Sequence, residues 1–140
     1  MNIDGFGDVL FCHGTPRDDN EVVLVDTRLD RWAEVLADLP DHVHSLLCGN
    51  THMPFPRLPH GRQIMYPGSV GMPYGRPGAH WVLLTDGAVA LRRTTFHPNH
   101  ASVIICRQSS YPDIAAWTDF LHARASDADA ILTFGPRDGR

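Results

Sequence analysis

The sequence predicts an α/β fold, because strand-like and helix-like segments alternate along it. Apolar runs within Asp8–Cys12, Val43–Cys48 and Gln63–Tyr66 have the length and composition of buried strands. Between the first two runs, apolar side chains recur at three- and four-residue steps, which indicates an amphipathic helix. Each strand-like run leads into a loop rich in Gly, His or Ser. Since α/β proteins bind ligands outside the carboxyl ends of their strands, we expect one shared site there.

The first half of the chain is predicted to form half of a βαβ-like unit. A turn at Asp4–Gly7 precedes the first strand, and Glu21–Val25 is either a short strand or a loop. Asp26 or Thr27 can cap the helix through its side-chain oxygen, and Pro40 ends it. The apolar face of this helix consists of Leu29, Trp32, Ala33, Leu36 and Leu39.

Prolines and glycines dominate the middle of the chain. The three prolines of Met53–Arg62 predict a loop, and the Gly/Pro-rich stretch Pro67–Gly78 is predicted to be irregular. Asp86-Gly87 then separates two strand-like runs, His80–Thr85 and Ala88–Arg93. This dipeptide between alternating apolar residues predicts a β-hairpin.

Three helices are predicted after the hairpin. Asn99 caps the first, from His100 to about Gln108, although the apolar run inside it would also suit a strand. Pro112 occupies the first turn of the second helix, and Ser126 opens a last short helix that ends near Gly135. Tryptophans at periodic apolar positions are predicted to lie in the core: Trp32, Trp81 and Trp117.

Composition narrows the function classes. The 140 residues are 43% apolar and 20% charged, which is typical of a globular domain. The formal charge of -4, without a cluster of Lys or Arg, provides no basic surface, so no stable nucleic-acid partner is expected. The terminus Met1–Gly5 has no basic segment followed by an apolar one, and no run approaches the ~18 apolar residues of a membrane span. We expect a cytoplasmic protein without a membrane partner.

The cysteines are odd in number and widely spaced. Cys12, Cys48 and Cys106 fit reduced, buried thiols in a cytoplasmic protein. A zinc site made of Cys12, Cys48 and nearby histidines is the alternative, but the sequence has no Cys-x-x-Cys pair to favour it.

Three ordered motifs carry a family resemblance. His13–Arg17 (HGTPR), Cys48–Phe55 (CGNTHMPF) and Pro67–Gly75 (PGSVGMPYG) resemble, in order and spacing, the second half of a calcineurin-like metallophosphoesterase domain. The likeness is greater to the small bacterial and archaeal phosphodiesterase-like branch of that superfamily, and it extends through the terminal stretch Phe134–Arg140. Two positions depart from the family pattern. Asn50 replaces the first His of Gly-His-Thr-His, and Tyr66 replaces the Asn that usually precedes Pro-Gly-Ser.

The resemblance implies hydrolysis of phosphomonoesters or phosphodiesters at a dinuclear centre of divalent metal ions (Mn, Ni, Fe, Zn or Mg). It implies that His13 and His52 are metal ligands and that Asn50 occupies the position of a further ligand. Arg17 is the candidate for binding a substrate phosphate, and a solvated loop arginine is the alternative. The substrate would be a small phosphate ester.

The ligand count limits this expectation. The family's Asp-x-His pair, its bridging carboxylate and its Asn-His pair have no counterpart in the sequence. The carboxylate of Gly7-Asp8 would lie at the wrong end of its strand. Two divalent ions need a bridging anion, so we expect weak or partial metal binding, and no residue is assigned as catalytic. The chain is then a truncated phosphoesterase, inactive unless complemented; the alternative is a non-catalytic binding or structural module derived from that fold.

The resemblance also refines the fold. It implies that residues 1–140 are a single partial αββα sandwich, namely its carboxyl-terminal sheet plus helices, lacking the amino-terminal half. Such a fragment leaves apolar strand faces uncovered, so we expect a homo-oligomer or a complementing chain.

Overall fold

Three parallel strands form the middle of a five-stranded sheet with the order β1-β2-β3-β5-β4. The computed structural model describes residues 1–139, so Arg140, at the end of the terminal motif, lies outside the described part of the chain. Strands β2, β3 and β5 run parallel, while β1 and β4 are antiparallel edge strands. The strands are β1 Asn2–Ile3, β2 Gly7–Phe11, β3 Ser45–Leu47, β4 Pro54–Arg57 and β5 Gln63–Pro67.

The apolar runs that predict the central strands are buried for the expected reason. Leu46 in β3 pairs with Leu10 and Ile64 on either side, and both Leu46 and Ile64 are fully buried. A central parallel strand is covered on both faces, which favours a continuous apolar run over an alternating one. The strands predicted from these runs are therefore present, each shifted or shortened by a few residues at its ends.

The predicted loop Met53–Arg62 is wrong over Pro54–Arg57, which forms β4 at the edge of the sheet. Its prolines lack an N–H, and an edge strand tolerates them because only one side of it is paired. Phe55 pairs with Tyr66 of β5, and the two rings stack with centroids 4.5 Å apart. Pairing and stacking outweigh the local preference for a turn.

Helix α1 spans Leu29–Val35, so it ends before the predicted Pro40. The apolar face continues into a turn, where Leu36 is buried, and Trp32 is the largest buried side chain of the helix. The cap prediction is wrong: Arg28 is the N-cap, and no side chain caps the helix. Thr27 instead accepts a hydrogen bond from the Leu24 N–H and donates one to Asp138, both at 2.6 Å. The segment Glu21–Val25 forms a buried loop and not a strand.

The predicted hairpin is confirmed as β6 Ala79–Thr85 and β7 Ala88–Thr94, which make a separate two-stranded sheet. Asp86 and Gly87 at its turn have φ of 47° and 75°. A tight hairpin turn with positive φ at both central residues matches the right-handed twist of the strands, which explains why this dipeptide predicts it.

Three helices follow the hairpin: α2 Pro98–Gln108, α3 Ile114–Thr118 and α4 Asp127–Phe134. The Ser126 prediction is confirmed by a capping box, in which Ser126 Oγ accepts from the Asp129 N–H at 3.1 Å and Asp129 accepts from the Ser126 N–H at 2.7 Å. The Asn99 cap is wrong, because α2 begins two residues earlier than predicted, at Pro98 after the N-cap His97. None of the helices within residues 1–139 is long and apolar enough to cross a membrane.

Two of the three tryptophans depart from their predicted core positions. Trp32 is 1% exposed, whereas Trp81 is 41% and Trp117 is 46% exposed. Periodicity identifies the apolar side of an element, but it does not establish that another element covers that side.

Candidate site at the carboxyl ends of the central strands

The three motifs meet because β2, β3 and β5 are adjacent and parallel. Phe11, Leu47 and Met65 are neighbours in the register of the sheet. The ladder continues one step further, since the Cys12 N–H donates to the Leu47 carbonyl at 3.1 Å and the Cys48 N–H donates to the Met65 carbonyl at 2.9 Å. The loops that follow therefore start side by side, as expected for strands whose carboxyl ends share one edge of a sheet.

The first two motifs are joined directly through their backbones. The Gly49 N–H donates to the His13 carbonyl at 2.7 Å. A Cβ at position 49 would lie 3.3 Å from that carbonyl oxygen and 3.7 Å from His13 Nδ1. Glycine at this position therefore accommodates the close approach of the His13 carbonyl, and the His13 imidazole lies beside the second motif.

The second motif has a strained backbone at both of its candidate ligands. Asn50 has φ of 69° and His52 has φ of 55°. Left-handed φ is uncommon outside glycine, although Asn and His adopt it more readily than most residues. Within residues 1–139, buried Asn50 Nδ2 and Thr51 Oγ1 have no hydrogen-bond partner. Backbone strain of this kind clusters at ligand-binding and catalytic sites, so this loop is the best candidate site among the described residues.

The environment of His52 favours its neutral imidazole. Burial lowers the pKa of His52 from its ordinary value, and nearby His13 lowers it further, while a backbone hydrogen bond with Met72 acts in the opposite direction. The third motif contacts the same residue, since the Tyr74 N–H donates to the His52 carbonyl at 3.2 Å. A lowered pKa favours neutral imidazole, which is the form that binds metal ions.

Tyr66 is buried and contacts the His13–Arg17 loop. Its hydroxyl donates to the Gly14 carbonyl at 2.8 Å, and burial raises the pKa of this phenol. Gly14 itself has no room for a side chain, because a Cβ would lie 2.5 Å from the Asp19 carbonyl oxygen. Tyr66, one of the two residues that depart from the motif, therefore holds the backbone of the His13–Arg17 loop in place.

All three cysteines are free thiols, but they differ in exposure. Cys48 is buried, Cys12 is partly buried and Cys106 is exposed, so the prediction of three buried thiols is wrong for Cys106. Cys12 and Cys48 are in contact, with their sulfurs 3.2 Å apart. A hydrogen bond from Cys48 lowers the pKa of the Cys12 thiol, and that bond together with burial raises the pKa of Cys48.

Arg17 is engaged by Glu21, a residue that the sequence analysis did not single out. Arg17 Nε donates to Glu21 at 2.9 Å, and Arg17 Nη1 donates to the Glu34 carbonyl at 3.1 Å. Glu21 also accepts from Thr15 Oγ1 and Arg31 Nη2, both at 2.5 Å. Burial alone would raise the pKa of Glu21, but hydrogen bonds from Arg17 and Thr15 lower it below its ordinary value. The four-residue spacing of Arg17 and Glu21 is the sequence feature from which this ion pair could have been predicted.

The ligand count from the sequence has a structural parallel. Over residues 1–139, no group of three or more His, Cys, Asp or Glu side chains is arranged to hold a metal ion. Asp18 follows His13 in the loop, and its carboxylate accepts the Asn20 N–H at 2.6 Å. The described residues therefore do not fit a complete dinuclear centre, and Cys12 and Cys48 lack the further ligands of a zinc site.

Comparison with known proteins gives a fold and not a sequence family. No family model matches the sequence, and no curated protein matches it. The structure is similar to that of a metallophosphoesterase from Sphaerobacter thermophilus, with a TM-score of 0.62 and 20% identity over 86% of this chain. The fold is metallophosphoesterase-like. A hypothetical protein from Pyrococcus horikoshii OT3 is also similar, with a TM-score of 0.63 and 14% identity over 83% of this chain.

The metallophosphoesterase-like fold confirms the α/β class predicted from the sequence. The match covers 57% of the Sphaerobacter chain and 48% of the Pyrococcus chain, so the 140 residues span about half the length of these structures. At these identities the likeness concerns the fold alone.

Proposed function

We propose that this chain forms part of a metal-dependent phosphoesterase, with His13 and His52 as imidazole ligands from two neighbouring strand-end loops. The observation that carries the proposal is the direct join between these loops, in which the Gly49 N–H donates to the His13 carbonyl at 2.7 Å. The metallophosphoesterase-like fold supports this assignment. Asn50 precedes His52 by two residues in the same strained loop, and its side-chain amide oxygen is the third proposed ligand.

A divalent ion would supply Lewis-acid polarisation of a phosphate oxygen in such a site. Imidazole suits Mn, Fe, Ni and Zn better than Mg, which prefers oxygen ligands. Two imidazoles and one amide do not complete a dinuclear centre, so we propose weak or partial metal binding by this chain. The remaining groups, including a bridging carboxylate, would have to come from another chain or segment. The substrate would be a small phosphate ester, and Arg17 would bind it only by exchanging its contact with Glu21.

A non-catalytic module is the second candidate. The arrangement of Arg17 favours it, because the guanidinium is held by Glu21 and the Glu34 carbonyl and not by the candidate ligands. The same loop would then be a structural element that retains the shape of a phosphate site.

We predict that the purified chain does not hydrolyse p-nitrophenyl phosphate or bis-p-nitrophenyl phosphate above the buffer rate with Mn, Ni or Mg. The described residues provide no bridging carboxylate and no group of three His, Cys, Asp or Glu side chains arranged for a metal ion, so a pair of metal ions that clamps phosphate cannot be built from them. The measurement is release of p-nitrophenolate. Turnover that His13→Ala or His52→Ala abolishes, while Ala at exposed His97 leaves it intact, would contradict the prediction.

Exposed apolar side chains on the β6–β7 hairpin support the expectation of a protein partner. Cross-strand pairs share a face, so Trp81 and Leu83 lie on one side of the two-stranded sheet and Leu91 on the other. These side chains are 41%, 37% and 38% exposed respectively. We propose that a second copy or a complementing chain covers this ribbon, since strands with apolar residues on both faces are typical of a sheet interior.

We predict that the isolated chain self-associates and that Leu83→Glu weakens this association by placing a charge on the apolar ribbon. Sedimentation velocity across a concentration series is the measurement. Leu132→Glu is the matched control, since Leu132 lies on α4 and is 76% exposed. A monodisperse wild-type monomer that melts cooperatively and binds no hydrophobic dye would refute the proposed partner surface.

A further inference from the structure

Two thiols lie in contact at the carboxyl ends of adjacent strands, and the proposed phosphoesterase site uses neither of them. Cys12 follows β2 and Cys48 follows β3, each one step beyond the last register pair, Phe11 and Leu47. The Cys12 N–H donates to the Leu47 carbonyl at 3.1 Å, so backbone hydrogen bonding still joins the two strand ends at this point. The distance between the two sulfurs is 3.2 Å.

This geometry is close to that of a disulfide. Neighbouring strands lie about 4.7–4.9 Å apart. Disulfides join residues whose Cα atoms are about 4.4–6.8 Å apart, with a bond of about 2.05 Å. Side-chain rotation at the strand ends therefore suffices to bring the sulfurs together, without moving either strand.

The two thiols differ in access. Cys48 is 3% exposed, whereas Cys12 is partly exposed, so a reagent in solution reaches Cys12 first. The third cysteine, Cys106, lies on α2, where its sulfur contacts the Thr118 hydroxyl at 4.0 Å. Cys106 is therefore an internal reference thiol that is exposed but has no cysteine at hand within residues 1–139.

We propose that Cys12 and Cys48 form a redox-active dithiol, which a low-molecular-weight disulfide such as glutathione disulfide oxidises to an intramolecular disulfide. Cys12 Sγ loses its proton to solvent and attacks one sulfur of the reagent, which breaks the reagent's S–S bond and releases one thiol. Cys48 Sγ then loses its proton and attacks Cys12 Sγ, which releases the second thiol. The protein dithiol is oxidised by two electrons and one reagent disulfide is reduced to two thiols.

The new bond would tie β2 to β3 directly before His13 and Gly49, the residues that join the first two motifs. Oxidation would thus fix the separation of the two loops at the candidate site. The proposal depends only on the two thiols and does not require that the chain binds metal or hydrolyses a phosphate ester.

The test is oxidation of the full chain with glutathione disulfide in the presence of a metal chelator. Exposed Cys106 would itself form a glutathione adduct, so the thiols are counted in Cys106→Ser, where we expect titration of the denatured product to find none and the reduced variant has two. Mass spectrometry should show the loss of two hydrogen atoms and a Cys12–Cys48 linked peptide, and thermal denaturation should show a higher Tm. Dithiothreitol should reverse all three changes. The chelator removes metal from the experiment, so its result is separate from that of the phosphoesterase assay.

Single cysteine variants separate the two exchange steps. Cys48→Ala should stop the reaction at a glutathione adduct on Cys12, and Cys12→Ser should leave Cys48 largely unmodified. Cys106→Ser should form the Cys12–Cys48 bond as readily as the wild-type chain does, and it avoids any risk that a buried substitution prevents folding. Persistence of both thiols in Cys106→Ser at equilibrium with glutathione disulfide, or a stable adduct on Cys12 in that variant, would overturn the proposal.

Discussion

Asn50→His is expected to raise the affinity of the chain for Mn²⁺ or Zn²⁺ by at least about tenfold, because imidazole is a stronger ligand for these ions than a neutral amide. The substitution suits the backbone, since Asn50 has φ of 69° and His is among the residues that tolerate this conformation. Position 50 belongs to the strained loop of His52, which is joined to the His13 backbone through Gly49. Hydrolysis should remain absent, because no bridging carboxylate is restored.

Titration calorimetry on both variants measures this effect, and metal-dependent thermal stabilisation provides a second readout, since an ion that binds only the folded chain raises its stability. Gln108→His is the matched control, because it makes the same amide-to-imidazole change at an exposed position of α2. Equal affinities for wild type and Asn50→His would mean that position 50 does not face a metal site. Gains of the same size for both variants would indicate non-specific binding to an added histidine.

Trp32→Ala is expected to lower the free energy of unfolding by about 3–5 kcal/mol, because it removes a large buried side chain and leaves a cavity. Trp32 is 1% exposed and packs in the core cluster with Leu46 and Ile64. Trp117→Ala is the matched control. Trp117 is 46% exposed and touches mainly Tyr111 and Phe120, so its loss should cost about 1 kcal/mol.

Urea denaturation at low protein concentration, followed by far-UV circular dichroism, compares the two variants without contributions from self-association. If Trp117→Ala lowered the free energy of unfolding as much as Trp32→Ala, this would show that α3 is covered in solution and that the core extends beyond the central sheet.

Local chemistry predicted several elements correctly. Asp86-Gly87 specifies its hairpin because both residues tolerate positive φ, and Ser126 begins α4 because its hydroxyl and the Asp129 carboxylate satisfy N–H groups in the first turn. For the hairpin and the helix start, the decisive interactions lie within a few residues of one another. The short apolar run within Val43–Cys48 predicts a buried strand from composition alone, and Leu46 within it is fully buried.

Elements that depend on distant partners could not be predicted in this way. Pro54–Arg57 is a strand because β5 pairs with it, although its prolines locally favour a loop. Thr27, a good capping residue, donates instead to Asp138, which lies 111 residues along the chain. Trp117 has the periodic spacing of a core residue, but no element of the described chain covers it fully.

The candidate site divides along the same line. The sequence by itself determined which residue types stand after each strand, and through them the family resemblance and the shortage of metal ligands. Only the tertiary structure decided that His13 lies against Gly49 and that Cys12 meets Cys48. The reason is that each strand end acquires its neighbours from the register of a parallel sheet, and that register depends on packing between segments far apart in the chain.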